Sequence, residues 1–219
     1  SGSEVWGNSA GSCAGGVLAA AGGSLSSTGD DVHDNTAVVW AGGILVQGTA
    51  TLSGGSVRAN QAVYGGGLIQ SQGTATLTGV AITGNQAVTA DGSGGGVILG
   101  NLTGAASASI DATSTISGNT AVQGAGVLVS EGSVTLRASV DHNAAGGFGG
   151  GVLNVSTTTT TVLDGARVEA NSATFGGGIY QAAGSPTLTL TDSTVDGNTA
   201  SGLGSPVALY LAAAGIGRI

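Results

Sequence analysis

Val57-Arg58-Ala59-Asn60-Gln61-Ala62, Gly65-Gly66-Gly67-Leu68-Ile69 and Thr74-Ala75-Thr76-Leu77 follow one another within a single stretch of the 219-residue chain. The order is an aliphatic residue three before an Asn, an Ala two after it, a glycine cluster, a short aliphatic run, and a segment in which Thr alternates with apolar residues. It recurs from one end of the chain to the other. The asparagines are Asn8, Asn35, Asn60, Asn85, Asn119, Asn143, Asn171 and Asn198, at intervals of 27, 25, 25, 34, 24, 28 and 27 residues. Val or Ile precedes each by three positions, from Val5 to Val195, and Ala follows each by two, from Ala10 to Ala200. Self-similarity at a period of 20–50 residues marks a stacked or circular array, not a single globular core.

A helical repeat would need apolar residues three and four apart over ten or more positions. Each unit here holds two or three short period-two segments separated by Gly and Asn, and Gly, Ser, Thr and Val are poor helix formers. The expected fold is therefore all-β: a right-handed parallel β-helix of about eight coils of ~25–28 residues, the hand following the rule for parallel crossovers. It fills residues 1–219 as one domain, read as a segment of a larger secreted or surface protein. Two extra stretches in the 34-residue interval, around Val88–Ser93 and Asn101–Ala106, read as loops bulging from one coil. Between Ala19 and Val32 the middle strand reads as replaced by Gly22-Gly23-Ser24-Leu25-Ser26-Ser27. In the last unit the glycine cluster becomes Gly204-Ser205-Pro206. Asn is expected at a bend because it tolerates left-handed backbone angles and bonds nearby backbone or its counterpart in the next coil.

Composition narrows the function. There are 44 glycines, aromatics are 3% and charged residues 7% of the chain, so the interior must be built from Val, Leu, Ile and Ala. There is no Lys, and four Arg stand against twelve acids, a formal charge of -8. Nucleic-acid binding needs a basic stripe that displaces counterions, and this chain has none. The single cysteine, Cys13, rules out an internal disulfide and any multi-cysteine metal site. No run reaches the roughly 18 apolar residues of a membrane span, so no insertion of this segment is expected. The glycine clusters lack the following Lys and helix of a phosphate-cradling loop. No cofactor or metal is expected.

Gly42-Gly43-Ile44-Leu45, Gly66-Gly67-Leu68-Ile69 and Gly177-Gly178-Ile179, together with the eight Asn elements, resemble the repeats of the polymorphic outer-membrane protein family. That family's motifs are GGA[I/L/V] and FxxN; here Val or Ile stands where Phe is expected. The resemblance spans residues 5 to 209. It implies a β-helix belonging to an autotransporter adhesin, and so a cell-surface setting.

Several surfaces are candidates for contact. Alternation puts Leu52, Leu77, Ile110, Leu136, Leu163 and Leu190 inside and Thr49, Thr51, Thr74, Thr76, Thr78, Ser107, Ser109, Ser133, Thr135, Thr160, Thr187, Thr189 and Thr191 outside. A flat double rank of hydroxyls and methyls resembles the ice-binding face of β-solenoid antifreeze proteins, although Thr also simply suits an exposed strand. Val162, Asp111, Arg137 and Asp164 interrupt the array. Asp30, Asp31, Asp34 and His33 form the densest polar cluster, a conceivable Ca²⁺ site or a solvated turn. Asp141-His142 and Asp192 with Asp196 raise a polysaccharide-degrading option, and Asp141, Glu169 and Asp196 occupy equivalent places in successive units, a file that reads as a cation or sugar site or as ordinary surface acids. Trp40, Tyr64, Phe148 and Phe175 each lie just before a glycine cluster, either covering the bend or, exposed, stacking on sugar rings or another solenoid. Asn101-Leu102-Thr103 and Asn154-Val155-Ser156 are glycosylation sequons, expected at the surface. The expected function is a non-enzymatic extracellular or cell-surface module for adhesion or assembly, contacting a surface ligand, a protein or a glycan. Ice binding is the alternative, and carbohydrate binding or cleavage the third reading.

Overall fold

The structure is a computed structural model describing residues 1–100, 104–184, 186–202, 209–211 and 216–218, the last two segments through their strand pairing alone. Among these residues every regular element is a strand, and every inter-strand pairing is parallel. The chain winds as a β-solenoid whose eight Asn positions bound about seven full turns, slightly fewer than eight complete coils.

Each turn contributes to three sheets. The first has eight strands of three residues, including Ser56–Arg58, Ala81–Thr83 and Thr115–Ser117. The second has eight strands just after the Asn, most of two residues, such as Gln61–Ala62 and Gln86–Ala87, the longest being Ala144–Phe148. The third, of fourteen strands, holds both the aliphatic run after the glycine cluster and the Ser/Thr-alternating segment. In two turns these merge into the long strands Ile44–Ser53 and Leu68–Thr78, the second carrying a register shift between Gln70 and Gln72.

The interior is narrow and aliphatic. Val57, Ile82, Ile116 and Val140 come from the first sheet, and Ile44, Leu68, Val97 and Val127 from the post-glycine strand. Leu52, Leu77, Ile110 and Leu136 come from the Thr-bearing strand, and all twelve are at most 2% exposed. Side chains of equivalent residues stack one coil, ~4.8 Å, apart, and each buried one contributes roughly 1.5–3 kcal/mol. Leu163 follows the expectation; Leu190 is only partly buried, against the same core.

The first coil differs from the sequence reading. Ser24–Thr28 is a regular strand paired in register with Thr49–Ser53, so the middle strand is present, not replaced. Gly22-Gly23 only turns the chain into it. The insertion at 88–92 leaves the stack where Val88, Thr89, Ala90 and Asp91 are exposed, and Ala106–Ile110 rejoins it in register with Gly73–Leu77. Asn101–Thr103 and Gly204–Pro206 lie outside the described residues.

The Asn bend is built differently from the expectation. The left-handed residue is the one before each Asn: Gly7, Asp34, Ala59, Gly84, Gly118, His142, Ala170 and Gly197 all have φ between 52° and 68°. This frees the Asn side chain to point inward. Asn60 donates its backbone N–H and one Nδ2–H to Asn85 Oδ1, both at 3.0 Å, and its other Nδ2–H to Val32 O at 2.9 Å. The pattern repeats from Asn8 to Asn198, and the six inner asparagines are fully buried. Every buried amide at this bend has its partners, as desolvated polar groups must.

Opposite, the glycine bend is shaped by close approach. At Gly65 the backbone is left-handed (φ 67°) and a Cβ would fall on the Ile69 side chain; at Gly66 it would lie 2.5 Å from the Gln86 backbone N, and at Gly67 2.9 Å from Asn85 Nδ2. The third glycine thus makes room for the Asn of the following coil. That is why the two motifs travel together. The middle residue of the post-glycine strand faces away from the main core, yet Leu45, Ile69, Ile98, Leu128 and Leu153 are buried in a second small cluster, covered by the aromatic side chains of the bend.

Candidate functional site

The Ser/Thr wall belongs to the third sheet, and its register is continuous. Ser24, Thr49, Thr74, Ser107, Ser133, Thr160 and Thr187 are successive partners in one column. Ser26, Thr51, Thr76, Ser109, Thr135, Val162 and Thr189 form the next column, two residues along the strands. Thr78 and Thr191 lie in a third, with Thr28 and Ser53 at its start. All thirteen predicted positions face solvent, fully or in part. Ser24, Ser26 and Thr28 escaped the sequence reading because Gly22-Gly23 hid the strand.

Charge is confined to the wall's margin. Arg137 and Asp164 pair at 2.7 Å. Burial pushes the Asp111 carboxyl up, but the Thr113 hydroxyl, the Gly79 N–H and the Ser114 hydroxyl donating to it hold it down at about 2. The two inner columns carry hydroxyls and methyls alone: an uncharged, regularly spaced array of hydrogen-bonding groups.

The acidic candidates separate. Asp30 accepts from the Ser3 N–H, the Ser27 hydroxyl and the Thr28 N–H, which hold it far below the usual carboxylate range. Asp31 turns instead to Ser56 and to the Arg58 guanidinium at 2.6 Å; partial burial raises its carboxyl, and these two partners more than reverse that. Asp34 meets His33 Nδ1 at 2.6 Å. The Asp30, Asp31 and Asp34 carboxylates therefore do not converge on one cation. Glu4, Asp31 and His33 do bring a ligand atom each within 4.8 Å of one another, but Arg58 already supplies the positive charge on Asp31.

Asp141, Glu169 and Asp196 stack as expected, in direct register. Asp141 is raised by burial and lowered further by the Ser117 hydroxyl, His142 and the Ser139 hydroxyl; Glu169 is paired to Arg167 at 2.8 Å. Two of the three are thus tied to local partners.

The aromatic column is continuous in place but not in kind. Parallel bridges and ladder pairs link Cys13, Trp40, Tyr64, Ser93, Gln123, Phe148 and Phe175 at one position of successive coils. Trp40 stacks on Tyr64 at 4.5 Å and Phe148 on Phe175 at 5.4 Å. All four rings are half-buried, and Trp40, Tyr64 and Phe148 pack against the second apolar cluster. Trp6 belongs elsewhere: it lies on His33, 62% exposed. The sequon at Asn154 is a correction. Its side chain is fully buried and accepts the Thr161 hydroxyl at 2.7 Å, because it ends a strand whose three residues all face packed surroundings. Asn101 lies outside the described residues.

Comparison with protein-family models, curated proteins and solved structures returned no match. The functional reading therefore stands on the walls of the solenoid themselves.

Proposed function

We propose that the chain is a non-catalytic module of the cell surface or the secreted space, a stiff rod whose Ser/Thr wall makes contact with a partner surface in adhesion or assembly. One observation carries this: seven hydroxyl side chains in unbroken register in one column and six in the next, on a sheet whose backbone is fully paired along the rod. Such a wall offers donors and acceptors at a fixed spacing with little ordering entropy left to lose on contact. The low charge and Ser/Thr/Gly/Asn-rich surface support the extracellular setting, as does the resemblance of the repeats to surface adhesins. Retention of the purified protein on whole cells, immobilised glycans and immobilised proteins tests the reading. Thr76→Tyr, which plants a bulky ring mid-wall, should abolish retention while Asp196→Asn leaves it intact; retention that survives Thr76→Tyr and Thr135→Tyr together would remove the wall from the proposal.

Ice is the second reading, favoured by the same two columns: strand neighbours two apart lie ~6.6–6.8 Å from each other and coils ~4.8 Å apart, a two-dimensional lattice of hydroxyls and methyls. Thermal hysteresis or ice shaping at micromolar protein, lost in Thr76→Tyr, is its expected outcome. Absence of both in the wild-type protein eliminates it.

A further inference from the structure

At the coil of Ser93 the aromatic column skips a ring. The ring pair Trp40–Tyr64 has its centroids 4.5 Å apart, close to the ~4.8 Å rise of one coil, so the rings stack along the rod axis. Each ring therefore presents its faces to the coils above and below. One face of Tyr64 is taken by Trp40; the other looks toward the level of Ser93, where only a hydroxymethyl group stands. One level further, Gln123 carries a planar amide. The result is a notch in a shallow groove of about 350 Å³ that runs from Trp40 and Tyr64 past Ser93, Gln123, Leu128 and Ser130 to Val155. Within it, the gap in the column between Tyr64 and Gln123 is two coil rises high, room for one inserted ring.

We infer that this notch is a binding site for one pyranose ring of a neutral glycan, taken edge-on into the column at the level of Ser93. The assignment rests on the reading of the chain as a contact module and names a ligand for a wall other than the Ser/Thr one. The free Tyr64 face suits the C–H face of a sugar, as amphipathic aromatic rings do where one side is apolar and the other wet. Leu128, only 5% exposed, and Val155, 38% exposed, supply the apolar side. Among the described residues no hydrogen bond engages the side chain of Gln123 or Ser130, so both are open to ring hydroxyls. None of the lining residues is charged, and the chain as a whole carries -8, which selects neutral sugars over uronic or sulfated ones. A planar apolar ligand would leave the Gln123 and Ser130 groups without partners, a cost a polyhydroxylated ring avoids, whereas the Ser93 hydroxyl already donates to Asp91 O at 3.3 Å.

The test uses the full chain, tryptophan fluorescence with Trp6→Phe as background so that Trp40 alone reports, and NMR line broadening, with cellohexaose, maltohexaose and chitohexaose as probes and polygalacturonate as the charged control. Ser93→Tyr extends the Trp40–Tyr64 ring stack by one level and fills the gap before Gln123; four other coils already carry an aromatic there, so this variant should fold, with an unchanged or raised midpoint of thermal unfolding. Expected is binding of at least one neutral oligosaccharide, weakened about tenfold or more by Ser93→Tyr and by Tyr64→Ala, and untouched by Thr76→Tyr. Binding that persists in Ser93→Tyr overturns the notch while leaving a glycan-contacting module intact. Binding lost in Thr76→Tyr instead moves the sugar to the Ser/Thr wall. No binding of any neutral probe at millimolar concentration overturns the inference, whereas the retention assay judges the adhesion reading separately.

Discussion

Each coil turns two of its corners by opposite means, and the contrast explains which residues repeat and which drift. At the Asn bend a single side chain must satisfy two backbone groups and its counterpart in the next coil, all out of water; eight coils use the same residue. At the glycine bend the requirement is only that backbone pass close and that something cover it. There the column runs Cys13, Trp40, Tyr64, Ser93, Gln123, Phe148 and Phe175, seven positions and six residue types. Directional bonding with no tolerance for a missing partner fixes identity; cover by volume permits variation, and variation is where a specialised notch can arise.

The largest effect tests the rigid side of that contrast. Asn85→Ala removes the acceptor for the Asn60 N–H and the donor to Val57 O at 2.9 Å, stranding both in a buried corner. At about 1–3 kcal/mol for each unsatisfied group, urea unfolding should show a loss of roughly 3–5 kcal/mol. A loss under about 1 kcal/mol would mean that water replaces the amide and that the ladder is incidental. Next comes the glycine bend. Gly94→Ala would set a Cβ 2.0 Å from Ile98 Cγ1 on a backbone with φ 69°, for a cost of about 1–3 kcal/mol. Ala41 occupies the equivalent place over Leu45, with φ 53°. Replacing the β-branched Ile98 with Leu in the Gly94→Ala background should therefore restore part of the loss. The smallest effect is a gain: Ala170, at φ 52°, stands where four other coils have Gly. Ala170→Gly relieves a left-handed strain of ~1–2 kcal/mol but adds unfolded-state entropy, leaving a net stabilisation of a few tenths of a kcal/mol in the same assay.

Most of the architecture was legible because the Asn and glycine motifs are themselves the bends, and the strands between them alternate. The thirteen wall residues were found by alternation alone. What escaped had physical reasons. Gly22-Gly23 reads as a loop, but it only redirects the chain into Ser24–Thr28. Leu45, Ile69 and Ile98 alternate away from the main core along their strands, yet the bend folds back over them and makes a second core absent from the sequence reading. Asn154 satisfies a glycosylation pattern that is blind to burial. The left-handed residue was attributed to Asn, whereas its predecessor takes that conformation so that the amide can turn inward. That Ser93 and Gln123 stand in the aromatic column came from the strand register, and that Ser93 opens a notch from the stacking of its neighbours.

Between asparagines the backbone N–H and one Nδ2–H always go to the Oδ1 of the coil that follows, never the reverse, while the second Nδ2–H reaches back to a carbonyl of the coil before. Such a column has a sense, like the teeth of a rack. Whole rungs can be added or taken out without any tooth losing its mate, whereas half a rung cannot. Length along the axis is thus an adjustable quantity that comes in fixed steps, and reach can change in evolution while the cross-section stays the same.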